Sequence, residues 1–549
     1  MRFLFIALLL VSLPGHAQDK SFKDVSKLIT TVQPDSIRAH IQYLADDRLK
    51  GRLPGTPEYK IAMQYVISHF KQMGIEPAGE DNSYFQKVPL RRAKLDPENV
   101  QMVFNPGADK KELEFGKDYV LMPHFEDASV MVEAPLVFVG YGISAPEFGY
   151  DDYAGVDVKG KIVVMVNGNP DKFSSTVKAH TTNRGTKLQT AIEKGAVGVI
   201  IREVSDRAIA GSKAVAITSG IVNVLNQEGN IFSPSSRGGG GMGLNLYAVI
   251  SSSFFNQMIN LSEEEMAKRL KLLTQGIPTS FELKSSIKAT YQSRYTDIEG
   301  YNVVGIIKGS DPALRNEYIV HSSHLDHMGI GRAVKGDSIY NGAHDNASGV
   351  SCTLEVARLY AAMKKKPKRS IVFVMLTSEE MGLLGSTYFA KYPTVPKNSI
   401  VANINMDMPT IIAPLLSIVP LGAQHSSLMN QVKAAAAYLA LEVEDDPEPD
   451  QNRFTRSDQY SFVEQGIPAL HIKYGDKMIE PGKKLTEQVK IWRENIYHKP
   501  QDEITGTFDF EAGKKYVQLC FLISYQIGQE ATRPVWNKGD FFGDKFGTP

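Results

Sequence analysis

The chain has 549 residues, with 61 Lys and Arg against 61 Asp and Glu, a balance that supplies no global attraction for nucleic acid or an anionic membrane. Two cysteines exclude a disulfide framework and a Cys-based zinc site, so any metal must be held by histidine and carboxylate. The length predicts two or three domains.

Residues 1–17 combine one Arg, the apolar run Phe3 to Val11 and a small-residue ending at Gly15-His-Ala17, the pattern of a secretory signal peptide. It is too short to span a membrane, and no later run of about 18 apolar residues replaces it. No cysteine follows the cleavage site to carry a lipid. The expectation is an exported protein, periplasmic or secreted, with no stable membrane insertion. Removing the signal takes away Arg2 alone and leaves a net charge near −1. Cys352 and Cys520 sit on apolar helical patterns and read as buried free thiols, a single bridge being the alternative.

Apolar spacing predicts helices over residues 34–44 and 58–73, separated by the turn Pro54-Gly-Thr-Pro57. From about Glu114 to Leu283 come short Val/Ile-rich runs such as Ala134–Gly140 and Lys161–Val166, split by Gly, Pro and Asp turns. One amphipathic helix, Lys187 to Lys194, is predicted among them. The run Gly238–Gly241 reads as a flexible loop; a phosphate cradle would need a following helix with Lys-Ser/Thr. Residues 115–290 are thus expected to form a β-rich domain inserted between residues 18–114 and residues 291–549.

After Tyr301 strands and helices alternate through about Gly528, the signature of a mostly parallel sheet flanked by helices in an α/β fold. The run Ile371–Leu376 predicts a strand buried on both faces, and it ends on the adjacent carboxylates Glu379 and Glu380. Unpaired acids at the mouth of a core repel one another and resist desolvation, so a cation belongs there. Neighbouring strands run into His324 and Asp326 and into Asp407, and the Gly-bounded loop Asn341–Gly349 sets Asp345 ahead of a helix from about Ser348 to Met363. The acidic run 444–450 reads as a solvated turn, since the Gly spacing of a calcium loop is missing. His498 follows near the end, and the tail after Arg533 reads as an irregular strap.

His324, Asp345, Glu380, Asp407 and His498 are the five candidate ligands. Two imidazoles and three carboxylates suit two zinc ions sharing one carboxylate; a single zinc would leave two surplus acids in need of positive partners. Asp326 is placed to orient His324 through its other ring nitrogen. His321, His327, His344, His425 and His471 read as ordinary buried or loop histidines. Arg456 and Tyr474 are candidates for substrate contact, with a salt bridge and core packing as the plainer readings.

The motifs His324-Leu-Asp326, Gly342–Gly349, Glu379–Ser386, Asn405-Met-Asp407 and Tyr497–Asp502 together resemble those of the co-catalytic zinc exopeptidases of metallopeptidase family 28. That family includes bacterial leucyl aminopeptidases, glutamate carboxypeptidases and, more distantly, glutaminyl cyclase. The resemblance implies one zinc on His324 and Asp407, a second on Glu380 and His498, Asp345 bridging them, and Glu379 as general base. Tyr141–Tyr153 and Val158–Val164 resemble an inserted protease-associated (PA) domain, and Leu44–Arg52 resembles the family's N-terminal helical segment. His344 and Gln459 depart from the family pattern. The expected function is therefore a secreted bacterial zinc aminopeptidase acting on peptides, with a preference for uncharged or apolar N-terminal side chains. The alternatives are a carboxypeptidase, a glutaminyl-cyclase-like enzyme, or a catalytically inactive binding ectodomain.

Overall fold

The computed structural model describes residues 22–107, 109–203, 205–396 and 398–547, so the signal-peptide segment lies outside the described residues. No helix among the described residues is long and apolar enough to cross a membrane.

A mixed sheet organises the molecule. Strand Tyr318–His324 pairs in parallel with Ser370–Leu376 on one side and Ile400–Asn405 on the other, and Ile400–Asn405 pairs in parallel with Ala469–Tyr474. Every residue of Ser370–Leu376 is buried. The period of two in a strand sorts its side chains: Ile371, Phe373 and Met375 enter one apolar core, and Val372, Val374 and Leu376 enter the core on the other face. Each such side chain stabilises the fold by roughly 1.5–3 kcal/mol, so Phe373→Ala would cost about 3–5 kcal/mol through the cavity it leaves. Helices Gly349–Ala362 and Phe510–Gln529 cover the first face. Because the four strands run in parallel, their carboxyl ends lie along one edge, where His324, Glu379 and Asp407 emerge.

The expected N-terminal helices are present as Pro34–Leu44 and Pro57–Gln72. The second starts where Thr56 Oγ1 accepts the Tyr59 N–H at 3.2 Å and Pro57 takes the first helical position.

The inserted region holds four parallel-paired strands, Ser129–Phe138, Ile162–Met165, Gly198–Arg202 and Leu246–Ile250. Its described residues carry five α-helices where one was expected: Ser175–Thr182, Arg184–Glu193, Asp206–Ala214, Ser252–Ile259 and Glu263–Thr274. They span only 8 to 12 residues, and each begins at a local Ser or Asn cap. Ser251 Oγ accepts the Phe254 N–H at 3.2 Å, and Ser262 Oγ accepts that of Glu265 at 3.1 Å. A second apolar core, drawing on residues from Ala93 to Tyr291, serves this region. The two cores are joined by a pair of long antiparallel strands, Phe85–Asn105 and Phe281–Ile307, registered from Phe85 against Val303 to Asn105 against Ser286.

The tail after Arg533 is anchored rather than loose: Trp536 Nε1 donates to the Gly466 carbonyl at 2.9 Å, and Phe542 on the short helix Phe541–Phe546 is fully buried against His425 and Phe454. Cys352 and Cys520 are buried and free.

Candidate metal centre

His324 is the last residue of its strand, and its Nδ1 lies 3.1 Å from the main-chain carbonyl of Asp326. The carboxylate of Asp326 is 3.9 Å from that nitrogen. Instead, it accepts the backbone N–H groups of Glu379 at 3.1 Å and Glu380 at 3.3 Å. Asp326 thus orients the imidazole through its backbone and fixes the adjacent glutamates through its side chain. Ser378, at φ +56°, makes the sharp exit from the buried strand that turns both glutamates to the cleft.

Asp345 sits on a loop that the rest of the molecule holds from all sides. The Asp502 carboxylate accepts the N–H groups of His344 at 2.9 Å and Asp345 at 3.0 Å. Asn346 accepts from Gly349 and Met408 and donates to the Met406 carbonyl at 3.1 Å. Gly349 permits this closeness: a Cβ there would lie 2.1 Å from Asn346 Oδ1 and 2.2 Å from the Met406 carbonyl oxygen. Arg52 contributes from the far end of the chain. Its guanidinium is fully buried and donates to the carbonyls of Leu325 (2.9 Å), Leu44, Asn341 (2.6 Å) and Gly342 (3.1 Å), which ties the His324 turn to the Asp345 loop.

Asp407 follows strand Ile400–Asn405. Its carbonyl accepts from His471 Nε2 at 2.7 Å and Lys473 Nζ at 2.9 Å, and its carboxylate accepts from Ser457. His498 has φ +55° and stacks on Tyr497 at 3.8 Å.

These side chains meet in two groups. His324 Nε2 lies 3.2 Å from Asp345 Oδ1 and 3.6 Å from Asp407 Oδ1. His498 Nε2 lies 3.1 Å from Asp345 Oδ2 and 3.3 Å from Glu380 Oε2. Asp345 therefore divides its two oxygens between the groups. Ligating atoms of His324, Glu379 and Asp407 fall within 4.8 Å of one another, as do those of His327, Asp345 and Glu380.

The donor set fits bound metal. His324 Nε2 and Asp407 Oδ1 are buried and face each other without completing a hydrogen bond. Three carboxylates converge on two imidazoles, and like charges at this range call for cations. Burial would raise the Asp345 carboxyl, yet hydrogen bonds from His324 and His498 hold it well below the usual range. Glu380 likewise overcomes burial and the Asp345 charge, through His327 and His498, and falls to about 2. Glu379 moves the other way: burial, only partly offset by His324, and the charges of Glu380, Asp407 and Asp458 push it well up. Two neighbouring glutamates are thereby given opposite proton affinities, the pattern of a ligand beside a base.

Among the remaining histidines, His321 packs on Phe373, His425 pairs with Asp540, and His344 stacks on Phe508 at 3.8 Å, where burial lowers it to about 3. His471 supports Asp407. His327 is different: its Nδ1 lies 2.7 Å from Glu380 Oε1, so it fixes the glutamate oxygen that His498 leaves free. Its place beside Asp326 was the one sequence signal. Gln459 donates to the Phe454 carbonyl behind the centre, and Tyr474 is buried with its hydroxyl on Glu448.

A cleft of about 690 Å³ opens over Glu379, Glu380 and His498, with Arg184, Lys187 and Arg237 of the inserted region as its opposite wall. Arg237 donates to the Glu380 carbonyl. A side pocket of about 80 Å³ lies against Asp407, and Arg456 and Tyr497 line both spaces.

Histidines and carboxylates gathered at the strand ends of a mostly parallel sheet, beside a cleft lined by Arg184, Lys187 and Arg237, define a candidate metal centre. Residues 302–516 match the family model of peptidase family M28, and residues 132–230 match that of the PA domain. Its relatives include aminopeptidase NAALADL1 of Mus musculus, 33% identical over 135 residues covering 24% of this chain and 16% of the relative. A probable leucine aminopeptidase 2 of Aspergillus oryzae is 26% identical over 262 residues, covering 46% and 48%. A probable glutamate carboxypeptidase AMP1 of Arabidopsis thaliana is 25% identical over 393 residues, covering 66% and 50%. The chain thus spans half or less of the length of these relatives. Among solved structures, the aminopeptidase from Aneurinibacillus sp. strain AM-1 aligns at 20% identity and a TM-score of 0.48, covering 94% of this chain and 98% of its own.

Proposed function

We propose that the chain is an exported di-zinc exopeptidase that removes N-terminal residues from peptides. The observation that carries this reading is the division of the Asp345 oxygens between the His324/Asp407 group and the His498/Glu380 group. In this reading His324 and Asp407 would hold one zinc and Glu380 and His498 the other, with one Asp345 oxygen available to each group.

Bound zinc would make a water molecule acidic near neutral pH and polarise the scissile carbonyl. Glu379, which burial pushes above the usual carboxylate range, would accept the proton of the attacking water and deliver it to the leaving amine. Asp326 keeps Glu379 and Glu380 at fixed separation through their N–H groups. The carboxylate-rich centre suits a free α-ammonium better than a terminal carboxylate, which favours the aminopeptidase direction. The inserted region, residues 115–290, walls the cleft and restricts it to short peptides. The secretory signal in residues 1–17 directs the protein to the periplasm or outside the cell.

A carboxypeptidase is the second reading, favoured by Arg184, Arg237 and Arg456 facing the cleft. A matched peptide pair decides between them: an aminopeptidase cleaves the C-amidated peptide and leaves the N-acetylated one intact. The reverse result gives the carboxypeptidase.

A further inference from the structure

The charges around the metal set are one-sided. In the linings of both cleft and side pocket the carboxylates are Glu379, Glu380 and Asp407, all assigned to the metal chemistry; histidines aside, every other charged side chain there is arginine or lysine. The geometry points to an anion subsite in the side pocket, centred on Arg456, that takes the carboxylate of an acidic substrate residue, aspartate or glutamate, at the scissile bond. This inference rests on the exopeptidase reading and deepens it by naming the substrate class.

Three observations carry it. Arg456 is exposed at the junction of pocket and cleft and forms no ion pair among the described residues; its one polar contact is with the Gln451 carbonyl at 3.5 Å. Behind it, Lys473 is buried and gives two of its three protons to the carbonyls of Asp407 at 2.9 Å and Met408 at 3.0 Å, which leaves one for a ligand. Arg493, partly exposed on the pocket wall, keeps capacity beyond its 3.2 Å contact with Glu448.

The pocket is placed and sized for the residue undergoing cleavage. Asp407 forms part of its wall, and Tyr497, which precedes His498, separates it from the cleft. Its volume of about 80 Å³ admits only a few non-hydrogen atoms, the size of an Asp or Glu side chain. Val489 and Trp492 give the methylene stem an apolar wall. A neutral side chain seated here would desolvate cations without pairing them, whereas a carboxylate forms charge-assisted hydrogen bonds with the guanidinium.

The same chemistry could be presented by a side-chain carboxylate or by a C-terminal one, and three peptides separate them: Glu-Ala-Ala-amide, Gln-Ala-Ala-amide and N-acetyl-Ala-Ala-Ala with a free carboxyl end. With zinc-loaded protein, kcat/KM for the Glu peptide is expected to exceed that for the Gln peptide by about tenfold or more, and Arg456→Gln brings that ratio to about one. Preferred cleavage of the acetylated peptide, lost in Arg456→Gln, keeps the anion subsite and identifies its occupant as the C-terminal carboxylate. A wild-type preference for Gln over Glu, or equal losses on all peptides in Arg456→Gln, overturns the proposal. Thermal stabilisation of the zinc-loaded protein by free L-glutamate against L-glutamine provides a readout independent of turnover. If no peptide is cleaved the exopeptidase reading falls, and the glutamate comparison still decides the subsite: an advantage for glutamate that vanishes in Arg456→Gln upholds it, and equal stabilisation refutes it.

Discussion

Arg52→Met removes a buried guanidinium and keeps most of its apolar bulk, so its effect can be worked from the hydrogen bonds it breaks. Three main-chain carbonyls, those of Leu44, Leu325 and Asn341, lose their donor in the interior, while that of Gly342 keeps the Ala347 N–H at 3.1 Å. A buried acceptor left unpaired costs ~1–3 kcal/mol, so the three together would cost roughly 3 to 9 on the same scale. Two effects reduce that sum. Water entering the space satisfies part of the demand, and the variant no longer bears the desolvation of the guanidinium, which burial draws down to about 10 despite the pull of Asp326, Asp502, Asp345 and Glu380. The net expectation is a loss of about 3 kcal/mol, at the lower end of that range. Urea unfolding followed by tryptophan fluorescence measures it. Because Leu325 lies between His324 and Asp326 and Gly342 precedes Asp345 by three residues, zinc affinity should weaken in parallel, as read by competition with a chromogenic chelator. A loss below about 1 kcal/mol, or unchanged zinc affinity in a destabilised variant, would refute the assignment of Arg52 as the tie between the two ligand loops.

Glu379→Gln should lower turnover by about a thousandfold or more while zinc content stays intact, whereas Glu380→Ala should also lose metal; equal zinc loss in both would reverse their roles. Metal analysis of active protein should find close to two zinc ions per chain, with chelation abolishing activity and added zinc restoring it. Asp152 in the inserted region gives a pH prediction. Burial raises its carboxyl to about 7, even though Tyr150 and the N–H groups of Ile143 and Tyr141 donate to it and Lys187 is near. A folded-state pKa above the unfolded value means stability that is full below about pH 4 and is lost as pH rises through about 7. Asp152→Asn can accept from the same N–H groups and should flatten that decline; a pH profile identical to wild type would count against it.

The parts of the site that sequence displayed are those in which chemistry and local pattern coincide. The run Ile371–Leu376 announced a doubly buried strand, and the acids and histidines read at strand ends do come together at one edge of the sheet. What stayed hidden depends on long-range pairing. Arg52 acts some 270–290 residues away in sequence, on groups that carry no side-chain signal because they are backbone carbonyls. His327 looked like any loop histidine until the fold put Glu380 beside it. The sequence showed no charge cluster to mark specificity, because Arg456, Lys473 and Arg493 come from different elements and become neighbours only around the side pocket. Asp326 was read as a partner of the histidine ring because the two are close in sequence; the sharp turn at Ser378 brought the glutamate backbone into its reach instead.

The long antiparallel pair Phe85–Asn105 and Phe281–Ile307 makes the two cores share one ribbon of hydrogen bonds rather than a linker. Swinging the inserted region away from the metal centre would require bending or unzipping that ribbon, at the cost of many ladder bonds at once. The aperture over Glu379 is accordingly preset, like a calliper locked at one width. Whatever binds over Glu379 must then fit between fixed jaws.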